Sequence, residues 1–207
     1  MNQALYITIG RQLGSGGRQI GKKLAKLLNL AFYDKELIEI ASRESGLGKE
    51  FFEQADEKSS HSLIGGLFGL KGSMVDELYS GHYLSNETLF KIQSDVIRDL
   101  ASRRSSLFIG RCADYVLKDM PRCLNVFVCA NFEDRISRVC ELMQLPESKA
   151  RDFMEKTDKK RAAYYNYYSN KEWGNASSYH LCVNSSVLGI EKTVLLIRDV
   201  AEKQFDL

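Results

Sequence analysis

Gly10-Arg11-Gln12-Leu13-Gly14-Ser15-Gly16-Gly17-Arg18-Gln19-Ile20-Gly21 follows directly on Leu5-Tyr6-Ile7-Thr8-Ile9. The first five residues are β-branched or large and apolar, which reads as a buried strand. From Arg18 to Asn29, Ile20, Leu24, Leu27 and Leu28 recur at helical spacing, with Asn29 as an end signal. A glycine cluster between a strand and a helix is where α/β sheets present backbone amides to phosphate. Glycine lets the main chain approach an anion closely, and the helix N-terminus adds roughly half a positive charge. Arg11 and Arg18 stand beside this nest as fixed cationic donors.

Two phosphate-binding patterns compete for the stretch. G-x-G-x-x-G starts well at Gly14 and Gly16 but meets Gln19 where its last glycine belongs. G-x-x-x-x-G-K-[ST] matches its final turn at Gly14-Ser15-Gly16, then has Gly17 for the lysine and Arg18 for the hydroxyl. Neither match is complete, and a glycine turn without a ligand stays open as the plain reading.

Beyond this stretch, Ala31-Phe32-Tyr33 reads as a second strand, with Asp34 placed to cap a helix over 35–45. A short helix is expected over 51–58. The stretch 59–73, with Gly65, Gly66, Gly69 and Gly72, reads as a loop that closes over a ligand, docks a partner or packs on itself. A long helix is predicted over 86–103, with Leu89, Ile92, Val96, Ile97 and Leu100 on one face. Strands follow at 106–109, 124–128 and 180–183, alternating with helices at 132–143, on both sides of Pro146 as far as Tyr168, and at 190–203. Apolar strands separated by helices indicate an α/β fold with a parallel sheet.

The chain has 207 residues, which suits one domain with a small insertion. Hydrophobic residues at 44% and charged residues at 27% describe a globular chain rather than a disordered one. With 29 basic and 27 acidic residues, a net charge of +2 argues against a nucleic-acid partner. No apolar run reaches the ~20 residues of a membrane span, and Met1–Ile7 has no basic n-region, so neither a membrane partner nor a secretory signal is expected. Cys112, Cys123, Cys129, Cys140 and Cys182 lack C-x-x-C spacing, and most have apolar neighbours. They read as small hydrophobes of a reduced, cytoplasmic protein.

Tyr6 to Gly21 resembles the opening of the cytidylate-kinase-like proteins, relatives of the P-loop nucleoside monophosphate kinases. The resemblance continues through Phe32-Tyr33-Asp34-Lys35-Glu36-Leu37, Phe108-Ile109-Gly110-Arg111-Cys112-Ala113-Asp114-Tyr115 and Asp158-Lys159-Lys160-Arg161-Ala162-Ala163-Tyr164-Tyr165. It extends to Trp173-Gly174 and Tyr179-His180-Leu181-Cys182-Val183-Asn184-Ser185, and so spans nearly the whole chain. It implies a P-loop α/β sandwich with a five-stranded parallel sheet, an acceptor-side insertion at about 46–104 and a lid at about 146–178.

The implied reaction moves the γ-phosphoryl of ATP, with Mg2+, to a nucleoside monophosphate, CMP or dCMP first. By position, Gly14, Ser15, Gly16, Gly17, Arg18 and Gln19, with Arg11, would hold the donor phosphates. Arg111 would hold the acceptor phosphate, Asp34 would face the acceptor nucleoside, and Arg161 with Asp158 would belong to the lid. The chain departs from true cytidylate kinases at Gly17 and at Asp34-Lys35-Glu36, where they have lysine and Asp-Ser/Thr-Gly.

Phosphoryl transfer needs positioning and positive charge around the phosphate oxygens, and one lost contact of that kind costs ~2–4 kcal/mol of transition-state stabilisation. Arg18 is expected to replace the missing lysine, and Arg18, Arg111 and Arg161 are the candidate catalytic residues. Ser15, Gln19 and Asp114 are the positions open to a metal. Asp114 equally reads as a helix-start carboxylate, and Asp158 and Arg161 as a simple ion pair. Tyr164, Tyr165, Tyr167 and Tyr168 read as packing under a lid rather than as a base-stacking platform. The competing functions are a nucleotide sensor of the same fold, a kinase with a non-nucleotide acceptor and an interaction module built on the 59–73 loop.

Overall fold

The computed structural model describes residues 4–34 and 86–207. The helices expected at 35–45 and 51–58 and the loop at 59–73 lie outside these residues. The chain divides into two compact units, one of Met1–Lys35 with Arg98–Leu207 and the other of Glu36–Ile97. Of the second, only the N-terminal part of helix Asn86–Arg103 is described.

Five strands form one parallel sheet: β1 (Tyr6–Arg11), β2 (Ala31–Tyr33), β3 (Ser106–Ile109), β4 (Cys123–Cys129) and β5 (Leu181–Asn184), in the order β2-β3-β1-β4-β5. The expected five-stranded parallel sheet is therefore what the chain forms. Tyr6 pairs in register with Ser106 on one side and Cys123 on the other, so the strands end together. Arg11, Asp34, Gly110, Ala130 and Ser185 consequently share the carboxyl edge.

The helices in chain order are α1 (Gly17–Leu27), α2 (Asn86–Arg103), α3 (Ala113–Val116), α4 (Phe132–Met143), α5 (Glu147–Ser169) and α6 (Ser185–Phe205). A 3-10 turn at Ala176–Ser178 precedes β5. One face of the sheet packs Ile7, Ile9, Leu107, Ile109, Val126 and Val128 against Ile20 and Leu24 of α1 and Val194, Ile197 and Ala201 of α6. These strands lack polar alternation because both faces are covered. On the other face Phe108 and Phe127 are completely or almost completely buried.

Three local expectations change. Pro146 does not divide two later helices: it precedes the single helix α5, where its fixed φ suits the entry. The last helix begins at Ser185 rather than Ile190, because Asn184 caps a first turn by accepting the Ser186 amide at 2.9 Å. That turn breaks at Gly189 (φ 73°, ψ 167°), and the regular helix resumes at the expected place. Cys182, expected to pack as a hydrophobe, is exposed. Cys112 and Cys123 are buried, and burial pushes both thiols up to about 12. No helix among the described residues is long and apolar enough to cross a membrane.

Candidate functional site

The turn between β1 and α1 is built so that its carbonyl oxygens face protein. Arg161 donates to the Arg11 carbonyl at 3.2 Å, Arg135 Nε to Leu13 at 2.8 Å, and Arg138 to Gly14 at 3.1 Å. The Gln12 carbonyl accepts from the Ser15 amide and hydroxyl, that of Ser15 from the Ser185 hydroxyl at 2.7 Å, and that of Gly16 from the Ile20 amide. Every carbonyl from Arg11 to Gly16 is thereby engaged. The amides of Gly14, Gly16, Arg18 and Gln19, by contrast, donate to no acceptor among the described residues.

Such a backbone is polarised: oxygens are held back and N–H groups remain for an outside acceptor. The conformation depends on Gly14 and Gly16, each at φ 77°. A Cβ at Gly14 would also stand 2.6 Å from the Arg135 carbonyl oxygen. With α1 beginning at Gly17, the helix N-terminus adds its partial positive charge to the same place.

The clamp on this loop comes from α4 and α5. Asp158 accepts the Leu13 amide at 2.9 Å and pairs with the buried Arg135 and, at 3.6 Å, with Arg161. Burial pushes the Asp158 carboxyl above the ordinary range, opposed by the Leu13 amide and the two arginines. The expected Asp158–Arg161 pair exists, but the shorter bonds of Asp158 go to Leu13 and Arg135. Burial lowers the Arg161 pKa; Asp158 raises it again, while Arg111 and Arg135 lower it further. Positive charge is thus crowded against the loop, an arrangement that favours an anion.

Arg111 lies in the turn after β3, where Gly110, Arg111 and Cys112 all have positive φ, and its guanidinium is 6.0 Å from the Tyr164 ring centroid. Arg18, expected over the loop, instead directs its guanidinium to Asp34: Nε donates to Oδ2 at 2.8 Å and Nη2 lies 2.5 Å from the same oxygen. Asp34 is almost fully buried there, whereas the Arg18 side chain is 66% exposed.

Two of the three positions read as open to a metal, Ser15 and Asp114, hold protein partners. The Ser15 hydroxyl, fully buried, donates to the Gln12 carbonyl at 2.8 Å. Asp114 accepts from the Tyr165 hydroxyl at 2.7 Å, and burial raises its pKa. Gln19 is exposed on α1. No group of three or more His, Cys, Asp or Glu side chains able to hold a metal occurs among the described residues.

Tyr165 stacks on Tyr179 with centroids 5.8 Å apart, and Tyr179 lies 5.0 Å from Phe127, which meets Trp173 edge-on. The tyrosine run of α5 is therefore packing at Tyr165, with Tyr167 exposed. His180 accepts the Asn125 amide through Nδ1 at 3.2 Å, beside the sheet rather than near the loop.

Sequence reading missed Arg135, Arg138 and Ser185. Two arginines three apart at the start of the helix after β4, and a serine directly after β5, are the signals. They become meaningful only once strand order brings those strand ends beside β1.

The chain matches the cytidylate kinase-like family over residues 6–187. No match appears among curated proteins. It is similar to the crystal structure of an uncharacterized protein from Eubacterium ventriosum ATCC 27560, at 25% identity and TM-score 0.72, covering 96% of this chain and 98% of that one. Shikimate kinase from Bacteroides thetaiotaomicron shares 16% identity at TM-score 0.53 (96% and 98% covered), and a gluconokinase from Sinorhizobium meliloti 1021 shares 12% at TM-score 0.54 (100% and 96%). The last two likenesses establish the fold alone. Glycine turn, sheet order and a match over most of the sequence agree, and the chain belongs to the cytidylate kinase-like family.

Proposed function

We propose that this chain is a phosphotransferase that moves the γ-phosphoryl of ATP to a nucleoside monophosphate, with CMP or dCMP as the first candidates. The family and the fold support phosphoryl transfer. The observation that carries the reading is the polarised loop, with carbonyls engaged from Arg11 to Gly16 and four amides left for an anion. ATP, when bound, supplies the phosphoryl group. The Gly14, Gly16, Arg18 and Gln19 amides bind its phosphates, with Ser15 and Gly17 shaping the turn. Arg111 binds the acceptor phosphate, Asp34 with Arg18 borders the acceptor, and Arg161 approaches from α5, positioned by Asp158. An acceptor phosphate oxygen forms the new P–O bond as the bond to the β-phosphate oxygen breaks, leaving its electron pair on ADP. Mg2+ is part of the proposed reaction, and no described side chain is assigned to it.

A second reading, a non-nucleotide acceptor, is favoured by one observation. The Asp34 carboxylate is engaged by Arg18, in a segment that continues Lys35-Glu36 rather than the cytidylate-kinase Asp-Ser/Thr-Gly. A coupled ADP-release assay over CMP, dCMP, UMP, AMP, shikimate and gluconate tests both. Turnover with a nucleotide supports the first reading and turnover with a hydroxy acid the second. Triphosphate binding without acceptor turnover favours a nucleotide sensor.

A further inference from the structure

Arg11 and Gly17 occupy one space. A Cβ built on Gly17 would stand 2.6 Å from Arg11 Cβ and 3.1 Å from Cγ, the fixed stem of that side chain rather than its flexible end. The far end of Arg11 lies over Gly110, whose Cβ, if present, would collide with Nη1 and stand 3.0 Å from Cζ. Arg11 therefore crosses from the end of β1, past the first residue of α1, to the turn that carries Arg111.

The P-loop pattern places an opening glycine five positions before its last glycine and a lysine directly after it. With Gly16 as the last glycine, those places fall on Arg11 and Gly17. The cation and the small residue are exchanged: arginine stands where the pattern has glycine, and glycine where it has lysine.

We infer that Arg11 supplies the positive charge of the absent P-loop lysine to the terminal phosphates of a bound nucleoside triphosphate, and that Gly17 lacks a side chain because Arg11 fills its place. This rests on the proposed phosphotransferase reading. An arginine fork makes two hydrogen bonds to phosphate where an ammonium offers a point charge. It enters from the β1 side, already directed along the sheet edge toward Arg111.

Isothermal titration of a non-hydrolysable ATP analogue with Mg2+ tests the exchange, with folding checked by circular dichroism. Arg11→Ala is expected to lose about 10- to 100-fold in affinity, as for a lost charged hydrogen bond. Gly17→Lys alone is expected to lose affinity through the collision, and the double exchange Arg11→Gly with Gly17→Lys to regain it to within a few-fold of wild type. A folded Arg11→Ala that binds within twofold of wild type overturns the inference, as does a double variant no better than the weaker single one. If Arg11→Ala does not fold, the double variant decides. A wild-type protein that binds no triphosphate overturns the phosphotransferase reading and this inference together, whereas unchanged binding by Arg11→Ala removes only the role of Arg11.

Discussion

The Asp158 carboxylate accepts the Leu13 amide proton at 2.9 Å, joining the middle of α5 to the glycine loop across 145 residues of sequence. Through Arg135, which it also pairs with and which donates to the Leu13 carbonyl, the same carboxylate fixes both backbone polar groups of Leu13, and so the two peptide units that flank its Cα. The loop is thus shaped by a side chain from the region expected to form a lid.

Replacing Asp158 with Ala would leave the buried Arg135 guanidinium without its partly buried anion. Breaking a buried pair on one side costs about 3–5 kcal/mol. Urea denaturation of Asp158→Ala should show a loss of that order, and triphosphate affinity should fall with it as the Leu13 amide is released. A stability change below about 1 kcal/mol would mean that the pair contributes little, as surface pairs do.

Gly14→Ala meets two obstacles at once, a positive φ of 77° and an Arg135 carbonyl oxygen 2.6 Å from the new Cβ. Strain of the first kind costs about 1–2 kcal/mol and overpacking about 1–3. A melting-temperature drop of several degrees is expected, with weaker phosphate binding because the backbone must turn. An unshifted melting curve would show that the loop tolerates the methyl group.

Asp114 is buried, and burial raises its pKa against the Tyr165 hydrogen bond. A carboxyl whose native pKa exceeds the unfolded value of about 3.9 stabilises the fold fully only below that value, and the contribution is lost as pH rises through the native pKa. Asp114→Asn keeps an acceptor for Tyr165 without the charge. Its stability should exceed that of the wild type at pH 7, with the difference closing as the pH approaches 4. Melting temperatures measured over that range decide the matter, and a pH-independent difference would contradict it.

Arg111→Ala should act on the acceptor more than on ATP. The acceptor KM is expected to rise about tenfold or more, for loss of ~1.5–3 kcal/mol of charged hydrogen bonding, while the triphosphate Kd changes less. Steady-state kinetics with the acceptor found in the turnover assay, beside titration of the ATP analogue, separates the two. Equal losses in both would place Arg111 on the donor side.

Much of the architecture was legible locally. Ala31–Tyr33, Ser106–Ile109 and Phe132–Met143 form where their composition places them. Continuous apolar runs and helical periodicity are written into neighbouring residues and survive packing. Pro146 misled because a proline reads as a break from either side, and only the chain after it showed a helix start. Arg18 shows the limit of reading a side chain from its place in a motif. Position in a motif locates the Cα, but the buried Asp34 at the end of β2 determines where the guanidinium goes.

From the amino-acid order alone came the alternation of strand and helix, the glycine turn after the first strand and the family, because each depends on residues close together in the chain. Tertiary structure alone decided that Arg11 and Gly17 share one volume, and that Arg135, Arg138, Arg161 and Ser185 hold the loop carbonyls. Those relations arise where parallel strands end at a common edge and the following helices bring distant side chains onto one turn. Direction and distance there are set by packing of the whole sheet, which no local stretch of sequence encodes.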